Sequence, residues 1–107
     1  MPRFALIYRN ANPPSTPEEG QQHMAAWMAW SNGLGAAMIE PGMPFSQSVA
    51  VSLTGTSEDI GPHQLNGISI VEADDRQAAL AMAQSCPHMT MGGDIVVSEG
   101  MDMPMQD

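Results

Sequence analysis

Four stretches of the chain have the hydrophobic pattern of β-strands. In residues 3–9 the side chains alternate between two faces, with Phe4, Leu6 and Tyr8 on one and Ala5, Ile7 and Arg9 on the other. Residues 48–53 alternate in the same way, which is typical of a half-buried strand. Apolar and β-branched residues also concentrate in residues 65–72 and 94–99, which are predicted as the third and fourth strands.

Two segments between these strands have the three-to-four-residue period of amphipathic helices. The first begins after Thr16, which can cap a helix, with Pro17 at its first position, and is predicted to run to about residue 37. The second opens at Asp74-Asp75, with Asp74 as its cap and Asp75 at the favourable end of the helix dipole, and Pro87 ends it. The predicted order is therefore β-α-β-β-α-β.

Proline, glycine and polar residues predict the connections. Glu40-Pro41-Gly42-Met43-Pro44 is predicted to be a turn, because two prolines and a glycine in so short a stretch disfavour regular structure. Residues 10–16 and 54–63 are predicted as polar loops, and Gly92-Gly93 turns the chain into the last strand. No element is assigned to the tail of residues 101–107.

An order of β-α-β-β-α-β with right-handed crossovers gives a ferredoxin-like α+β fold. Its four-stranded antiparallel sheet carries both helices on one face, and residues 1–107 form a single domain. The first and last strands are apolar on both sides, so the helices leave an apolar face open. We therefore expect a homodimer in which two such faces pack together.

The charge of the chain argues against several classes of partner. The 107 residues contain 3 Lys+Arg, all of them arginine, and 12 Asp+Glu, which gives a formal net charge of −9. So few cations cannot neutralise many phosphates, which disfavours nucleic acid and anionic membrane surfaces as partners. No apolar run approaches the ~20 residues that a membrane helix needs. We expect a cytoplasmic protein.

Cys86 is the single cysteine, so neither an intramolecular disulfide nor a cysteine-based zinc cage can form. It lies at the end of the second predicted helix, where the dipole disfavours a thiolate, and we do not expect it to be a nucleophile. The three histidines share no ligand spacing, so neither a metal nor a cofactor is expected. The alternating Met101, Met103 and Met105 could offer soft ligands to Cu(I), but packing is the favoured interpretation.

Six short segments form a further pattern along the whole chain: Phe4–Tyr8, His23–Trp30, Glu40–Pro44, Asn66–Asp74, Cys86–His88 and Gly92–Val97, with Met103-Pro104 behind them. In this order and spacing they resemble the YCII-related domain family. The resemblance implies a dimeric α+β barrel and, for chemistry, a histidine and a carboxylate in a pocket associated with the dimer. Glu40 stands where the family's turn more often has Asp.

His23 and Glu40 are the candidates for that catalytic pair. They flank the first helix and can meet if the first half of the helix faces the turn that follows it. A carboxylate beside the imidazole would orient the ring and raise its pKa, giving a general acid–base pair for a small carbonyl or enol substrate. The alternative is that His23 packs against Trp27 one turn later and Glu40 is a solvated turn residue.

Four ring-bearing residues are candidates for a ligand pocket. Trp27 and Trp30 share part of one helix face; Trp27 follows the apolar stripe and is the better core residue, whereas Trp30 is the better pocket residue. Tyr8 and His88 complete the predicted pocket. Two functions stay open: a small dimeric enzyme with acid–base chemistry on a small organic molecule, and a non-catalytic dimeric module that binds a ligand or a protein.

Overall fold

The chain folds as a β-α-β-β-α-β unit with a short β-hairpin inserted between its second and third sheet strands. The computed structural model describes residues 1–101. Its elements are β1 (Arg3–Arg9), α1 (Pro17–Leu34), β2 (Met38–Pro44), β3 (Ala50–Ser52), β4 (Gly55–Ser57), β5 (Leu65–Glu72), α2 (Arg76–Gln84) and β6 (Asp94–Glu99). Short 3₁₀ turns at Gly35–Ala37 and Pro87–Met91 follow the two helices. Met103, Pro104 and Met105 lie outside the described residues.

The main sheet has four strands in the order β2-β5-β1-β6, and every neighbouring pair is antiparallel. Each helix connects two parallel strands that flank a third, as the predicted ferredoxin-like α+β fold requires. The central pair is regular: Phe4 lies opposite Val71 and Ile7 opposite Ile68. The predicted fold class is therefore confirmed.

The predicted turn at residues 40–44 is wrong, because these residues belong to the edge strand β2. Glu40 lies opposite Ile70 and Met43 opposite Ile68, with a register shift on each side of Glu40. Proline can join a sheet only where its missing amide hydrogen is not needed, and an irregular edge strand provides such positions. Gly42 has φ +76°, which lets the strand kink between Pro41 and Met43.

The predicted second strand, residues 48–53, is not part of the main sheet. β3 pairs with β4 in a separate two-stranded hairpin, and β4 falls within the segment predicted as a polar connection. The apolar residues expected on a half-buried face are exposed, with Val51 78% and Leu53 107% accessible. Residues 48–53 do not join the main sheet, because β2 occupies the position beside β5.

The first helix begins where its capping side chain predicts, and the second begins one residue later than predicted. Thr16 Oγ1 accepts a hydrogen bond from the amide of Glu19 at 3.1 Å, and Pro17 is the first residue of α1. Asp75 rather than Asp74 caps α2, accepting from the amide of Ala78 at 2.9 Å. α1 ends at Leu34, earlier than predicted, where Gly35 turns the chain. Within residues 1–101, neither helix is long and apolar enough to cross a membrane.

The core lies between the helices and one face of the sheet. Phe4, Leu6 and Tyr8 are buried there, as the alternation in β1 predicts, together with Val71, Ala79, Ala83 and Cys86. The opposite face carries Ala5, Ile7, Ile68, Ile70 and Val96, which are half-buried and which we name the open face. Both helices pack on the core side, so neither helix covers the open face.

The kink at Gly42 gives a test of the β2 register. In Gly42→Ala, the new Cβ would collide with the carbonyl oxygen of Ile68, and the positive φ alone costs about 1–2 kcal/mol. We expect urea unfolding to show a loss of at least that size. Gly33→Ala is the matched control: nothing lies near its Cβ within α1, and alanine is favoured there by about 1 kcal/mol. Equal stability of the two variants would contradict the register.

Candidate functional site

A cavity of about 650 Å³ lies between the first half of α1 and the β1–β5–β2 part of the sheet. The sheet forms its floor with Tyr8, Gly67, Ile68 and Ser69, and β2 forms a wall with residues 41–44. α1 contributes Gly20, His23, Met24 and Trp27; the loop after β1 contributes residues 11–14, and the remaining lining residues are Gln64, Asn66, His88 and Met91. The topology thus brings distant parts of the chain to one site.

No aspartate, glutamate, arginine or lysine lines this cavity in the part of the chain that the structure describes. Its polar groups are hydroxyls, amides and imidazoles, and its walls are mainly proline, methionine and tryptophan. Sites for small molecules usually combine an apolar wall with a few polar groups. The absence of charge from the lining stands out in a chain whose formal net charge is −9.

Four rings meet at the inner end of the cavity. The ring of Tyr8 lies edge-on to Trp27, with centroids 4.8 Å apart, and 5.3 Å from the ring of His88. His23 lies edge-on to Trp27 at 6.1 Å. Edge-to-face packing of this kind is favourable and fixes ring orientation. The structure therefore brings together Tyr8, His23, Trp27 and His88 of the predicted site.

His23 is held by Trp27, one turn further along α1. The indole Nε1–H donates to His23 Nε2 at 2.8 Å. An indole nitrogen only donates, so Nε2 must be the bare acceptor nitrogen and the proton of the neutral ring lies on Nδ1. Desolvation lowers the pKa of His23 below its usual 6.5, and the nearby His88 lowers the pKa further. His23 is therefore a neutral imidazole whose free atom is a donor.

His88 has the opposite arrangement. Its side chain is only 3% exposed, and its Nε2 lies 2.9 Å from the carbonyl oxygen of Arg9. A carbonyl oxygen only accepts, so Nε2 carries a proton and, in the neutral ring, Nδ1 carries the lone pair. Gly93 makes this contact possible, because a Cβ there would overlap both His88 Nε2 and the Arg9 oxygen.

A chain of two hydrogen bonds crosses the floor of the cavity. Tyr8 Oη donates to Ser69 Oγ at 2.9 Å, and Ser69 Oγ donates to the carbonyl oxygen of Pro41 at 2.7 Å. Burial raises the pKa of Tyr8, so the phenol keeps its proton. Because each hydroxyl has a single hydrogen, both are committed, and the oxygens of Tyr8 and Ser69 can only accept from a ligand.

Glu40 does not line the cavity. It lies opposite Ile70, and directly opposite residues share a face of the sheet, so Glu40 faces away from Ser69 and the helices. Its Oε1 accepts a hydrogen bond from the amide of Gly42 at 2.9 Å. Among the described residues, His23 and Glu40 share no hydrogen bond, because the edge strand turns the carboxylate to the other face.

The two tryptophans both pack against the core but take different places at the cavities. Trp27, the expected core residue, lines the large cavity. Trp30, the expected pocket residue, donates to the carbonyl oxygen of Met82 at 3.1 Å and to Ser85 Oγ at 3.2 Å, which ties α1 to the end of α2. It lines a separate, smaller cavity of about 190 Å³ together with Trp27.

Sequence reasoning missed several residues that shape the site. Ser69 is buried between Gly67 and Val71, and its place on the core face of β5 was the available signal. Asn66 Oδ1 accepts from the amide of Ala11 at 2.9 Å and thereby fixes the loop after β1. Gly93 was identified only as part of a turn and of the family pattern, because its contact with His88 joins distant segments.

Other chemistry has little support near the cavity. Cys86 is buried, and burial raises the pKa of its thiol to about 11, so it is not a ready nucleophile. Within residues 1–101, no three His, Cys, Asp or Glu side chains converge as a metal site. Proton transfer and hydrogen bonding by neutral groups are the chemistry that this arrangement can perform.

Comparison with known proteins gives a family match and a structural likeness. The model of the YCII-related domain matches residues 3–98. Comparison with curated proteins gives no match. A solved structure from Burkholderia phenoliruptrix, described as a 5-chloro-2-hydroxyhydroquinone dehydrochlorinase in complex with 2,5-dihydroxybenzoquinone, aligns with TM-score 0.53 at 22% identity. The alignment covers 89% of this chain and 90% of that one, and it supports the fold described above.

The hydrogen bond between Trp27 and His23 predicts how the pKa of His23 responds to substitution. Trp27→Phe removes the donor that favours the neutral ring and admits water, so the pKa of His23 should rise toward its usual 6.5. NMR titration of the three histidine Cε1–H signals measures this. Trp30→Phe is the matched control and should leave that pKa unchanged. A fall in the pKa of His23 on Glu40→Gln would instead indicate a carboxylate partner and contradict the assignment.

Proposed function

We propose that this chain, which belongs to the YCII-related domain family, is an acid–base enzyme that moves a proton on a small, uncharged organic molecule bound in the large cavity. The single observation that carries the proposal is the pair of imidazoles. His23 and His88 lie in one uncharged cavity, and their outer hydrogen bonds leave a donor free on one ring and an acceptor free on the other.

The proposed step is removal of a proton next to a carbonyl group, or from a hydroxyl. His88 Nδ1 takes the proton, and the electron pair of the broken bond moves into the substrate as an enolate or a phenolate. The Nδ1–H of His23 donates a hydrogen bond to the oxygen that gains charge. His23 gives up no proton in this step, and the proton returns from His88 to the product, so the step balances.

The surroundings suit these two roles. The lowered pKa of His23 keeps it neutral near pH 7, and a neutral imidazole can stabilise a developing oxyanion by hydrogen bonding. The carbonyl oxygen of Arg9 accepts from Nε2 of His88 and so orients the ring. Trp27 and Glu40 act as positioning residues in this proposal: Trp27 fixes the His23 tautomer, and Glu40 holds the β2 wall through Gly42.

The solved relative gives independent support for this substrate class. Its description names a hydroxylated six-membered ring as the substrate and a dihydroxylated quinone as the bound ligand. Loss of HCl from such a ring requires proton transfer, which is the chemistry proposed here. The volume of the cavity, about 650 Å³, lies within the range of roughly 300–1,000 Å³ that is typical of small-molecule sites.

A dimer belongs to the same proposal. The open face contains a row of directly paired apolar residues, Val96, Ile7 and Ile68, across three neighbouring strands. Apolar rows of this kind are normally shielded from water. In a symmetric dimer the open faces of two identical chains would pack together and shield each other. The cavity lies on the other side of the sheet, so pairing of two open faces leaves the proposed site accessible.

Proton exchange tests the proposed chemistry. The protein should accelerate hydrogen–deuterium exchange next to the carbonyl of cyclohexanone in D₂O, followed by NMR. His88→Gln and His23→Gln should each lower the rate about 100-fold, because general acid–base groups contribute this order. The exchange rate should also fall as pH is lowered through the pKa of His23, since protonation of His23 makes its imidazole a cation. His63→Gln, a histidine exposed outside the cavity, is the matched control.

The outcomes separate the two functions left open by the sequence. Equal rates in the wild type, His23→Gln and His88→Gln would contradict the catalytic proposal. Perturbation of the Trp27 indole signal by a cyclic ligand without any exchange would favour the non-catalytic ligand-binding module.

A charged residue on the open face tests the dimer. Val96→Glu places a carboxylate in the centre of the apolar row, and we expect the dimer to dissociate at micromolar concentration in sedimentation equilibrium. Gln22→Glu adds the same charge on the exposed side of α1 and should leave the mass unchanged. A wild-type protein that is monomeric at high concentration would contradict the proposal.

A further inference from the structure

We infer that the cavity selects neutral dihydroxylated aromatic rings over quinones, ethers and carboxylates of similar size, because its floor accepts hydrogen bonds but donates few. The inference rests on the proposed site and adds the class of ligand that the site takes. It follows from counting the hydrogens of three groups whose partners are fixed within the fold.

The first group is the hydroxyl of Tyr8. Its hydrogen is donated to Ser69 Oγ at 2.9 Å. Ser69 cannot be the donor in that bond, because its own hydrogen goes to the carbonyl oxygen of Pro41 at 2.7 Å, and a carbonyl has no hydrogen to give. A ligand that meets Tyr8 Oη must therefore bring a hydrogen of its own.

The second group is His88. The Arg9 carbonyl oxygen takes the Nε2 hydrogen, and the missing side chain of Gly93 leaves room for that contact. No side-chain nitrogen or oxygen in the described part of the chain is buried without a partner. The Nδ1 atom, which has no partner among those residues, is thus open to the cavity as an acceptor.

The third group, His23, is the donor of the set. Its Nε2 is occupied by the Trp27 indole, which leaves Nδ1–H. The amides of Asn12, Gln64 and Asn66 lie at the loop side of the cavity and offer both donors and acceptors. A ligand consequently needs hydroxyl hydrogens toward Tyr8 and His88 and an oxygen toward His23.

Shape and charge narrow the class further. The walls present Trp27, Met24 and Pro41, which suit the faces of a flat ring better than a hydrated chain. A carboxylate would meet the oxygens of Tyr8 and Ser69 without a lysine or arginine to balance it. A quinone or a methoxyarene supplies only acceptors and leaves the floor without partners. A hydroquinone or catechol supplies both kinds of group.

Selection of the reduced ring has an electrochemical consequence. Binding the hydroquinone more tightly than the quinone raises the midpoint potential of the bound couple. A tenfold preference corresponds to about 30 mV for a two-electron couple.

Isothermal titration with three probes tests the inference: hydroquinone, 1,4-dimethoxybenzene and 4-hydroxybenzoate. We expect hydroquinone to bind at least tenfold more tightly than either of the others. Tyr8→Phe should reduce that preference by weakening hydroquinone binding alone. Ser69→Ala removes the acceptor of the Tyr8 hydrogen, so Tyr8 becomes a donor and binding of 1,4-dimethoxybenzene should improve. Trp30→Phe, outside the large cavity, is the control and should change neither affinity.

Equal binding of hydroquinone and 1,4-dimethoxybenzene, tighter binding of 4-hydroxybenzoate, or no binding of any probe would overturn the inference. The exchange of cyclohexanone protons is measured separately, so its loss with the preference intact would overturn the proposed catalysis alone. Folding of each variant is checked by its unfolding transition. If Tyr8→Phe does not fold, the opposite shift expected for Ser69→Ala decides the question.

Discussion

The pairing of β2 with β5 determines which side chains reach the cavity. Ser69 turns its hydroxyl toward the helices, where it accepts from Tyr8 and donates to the carbonyl oxygen of Pro41. Since that bond brings Pro41 to the cavity side, the preceding Glu40 lies opposite Ile70 on the other face. The Ser69 hydroxyl therefore links β1, β5 and β2 and fixes the direction of both hydrogen bonds. The same register of β2 against β5 keeps the Glu40 carboxylate out of the cavity.

The acidic chain keeps its charges at the periphery. Arg9 donates to Asp94 at 2.8 and 3.3 Å, and this pairing lowers the pKa of the Asp94 carboxyl. Arg3 Nε lies 3.5 Å from Glu72 Oε1, at the opposite end of β1 from Arg9. Ion pairs that remain partly open to solvent, as these do, contribute little stability. Their significance is positional: Arg9 turns its side chain to Asp94 while its backbone oxygen faces inward and holds His88.

The sequence predicted local structure well and the site only in part. The alternation in β1 and the cap at Thr16 depend on neighbouring residues, so the pattern was sufficient to predict them. Residues 40–44 were predicted as a turn because two prolines and a glycine normally exclude a strand, and only pairing with β5 overrides that preference. With that segment taken as a turn, residues 48–53, whose apolar and polar side chains alternate, were assigned as the second strand of the sheet.

The candidate site divides in the same way. The contact of His23 with Trp27 was foreseen as an alternative, since residues four apart on a helix meet. Its partner across the cavity, His88, depends on Gly93 and the Arg9 oxygen, which come from separate strands. The place of Trp30 outside the large cavity follows from the position of α2, whose last turn accepts the indole N–H of Trp30.

An indole partner and a carboxylate partner have opposite effects on an imidazole. A carboxylate stabilises the imidazolium and raises its pKa, whereas an indole N–H needs a bare ring nitrogen and so stabilises the neutral form. In the neutral form, geometry alone assigns the donor and the acceptor: Trp27 makes His23 a donor, and the Arg9 oxygen makes His88 an acceptor. In the same way, donation of the Tyr8 hydroxyl hydrogen to Ser69 leaves the Tyr8 oxygen as an acceptor. Three hydrogen bonds that face away from the ligand thus give the cavity its polarity, and they do so without a charge.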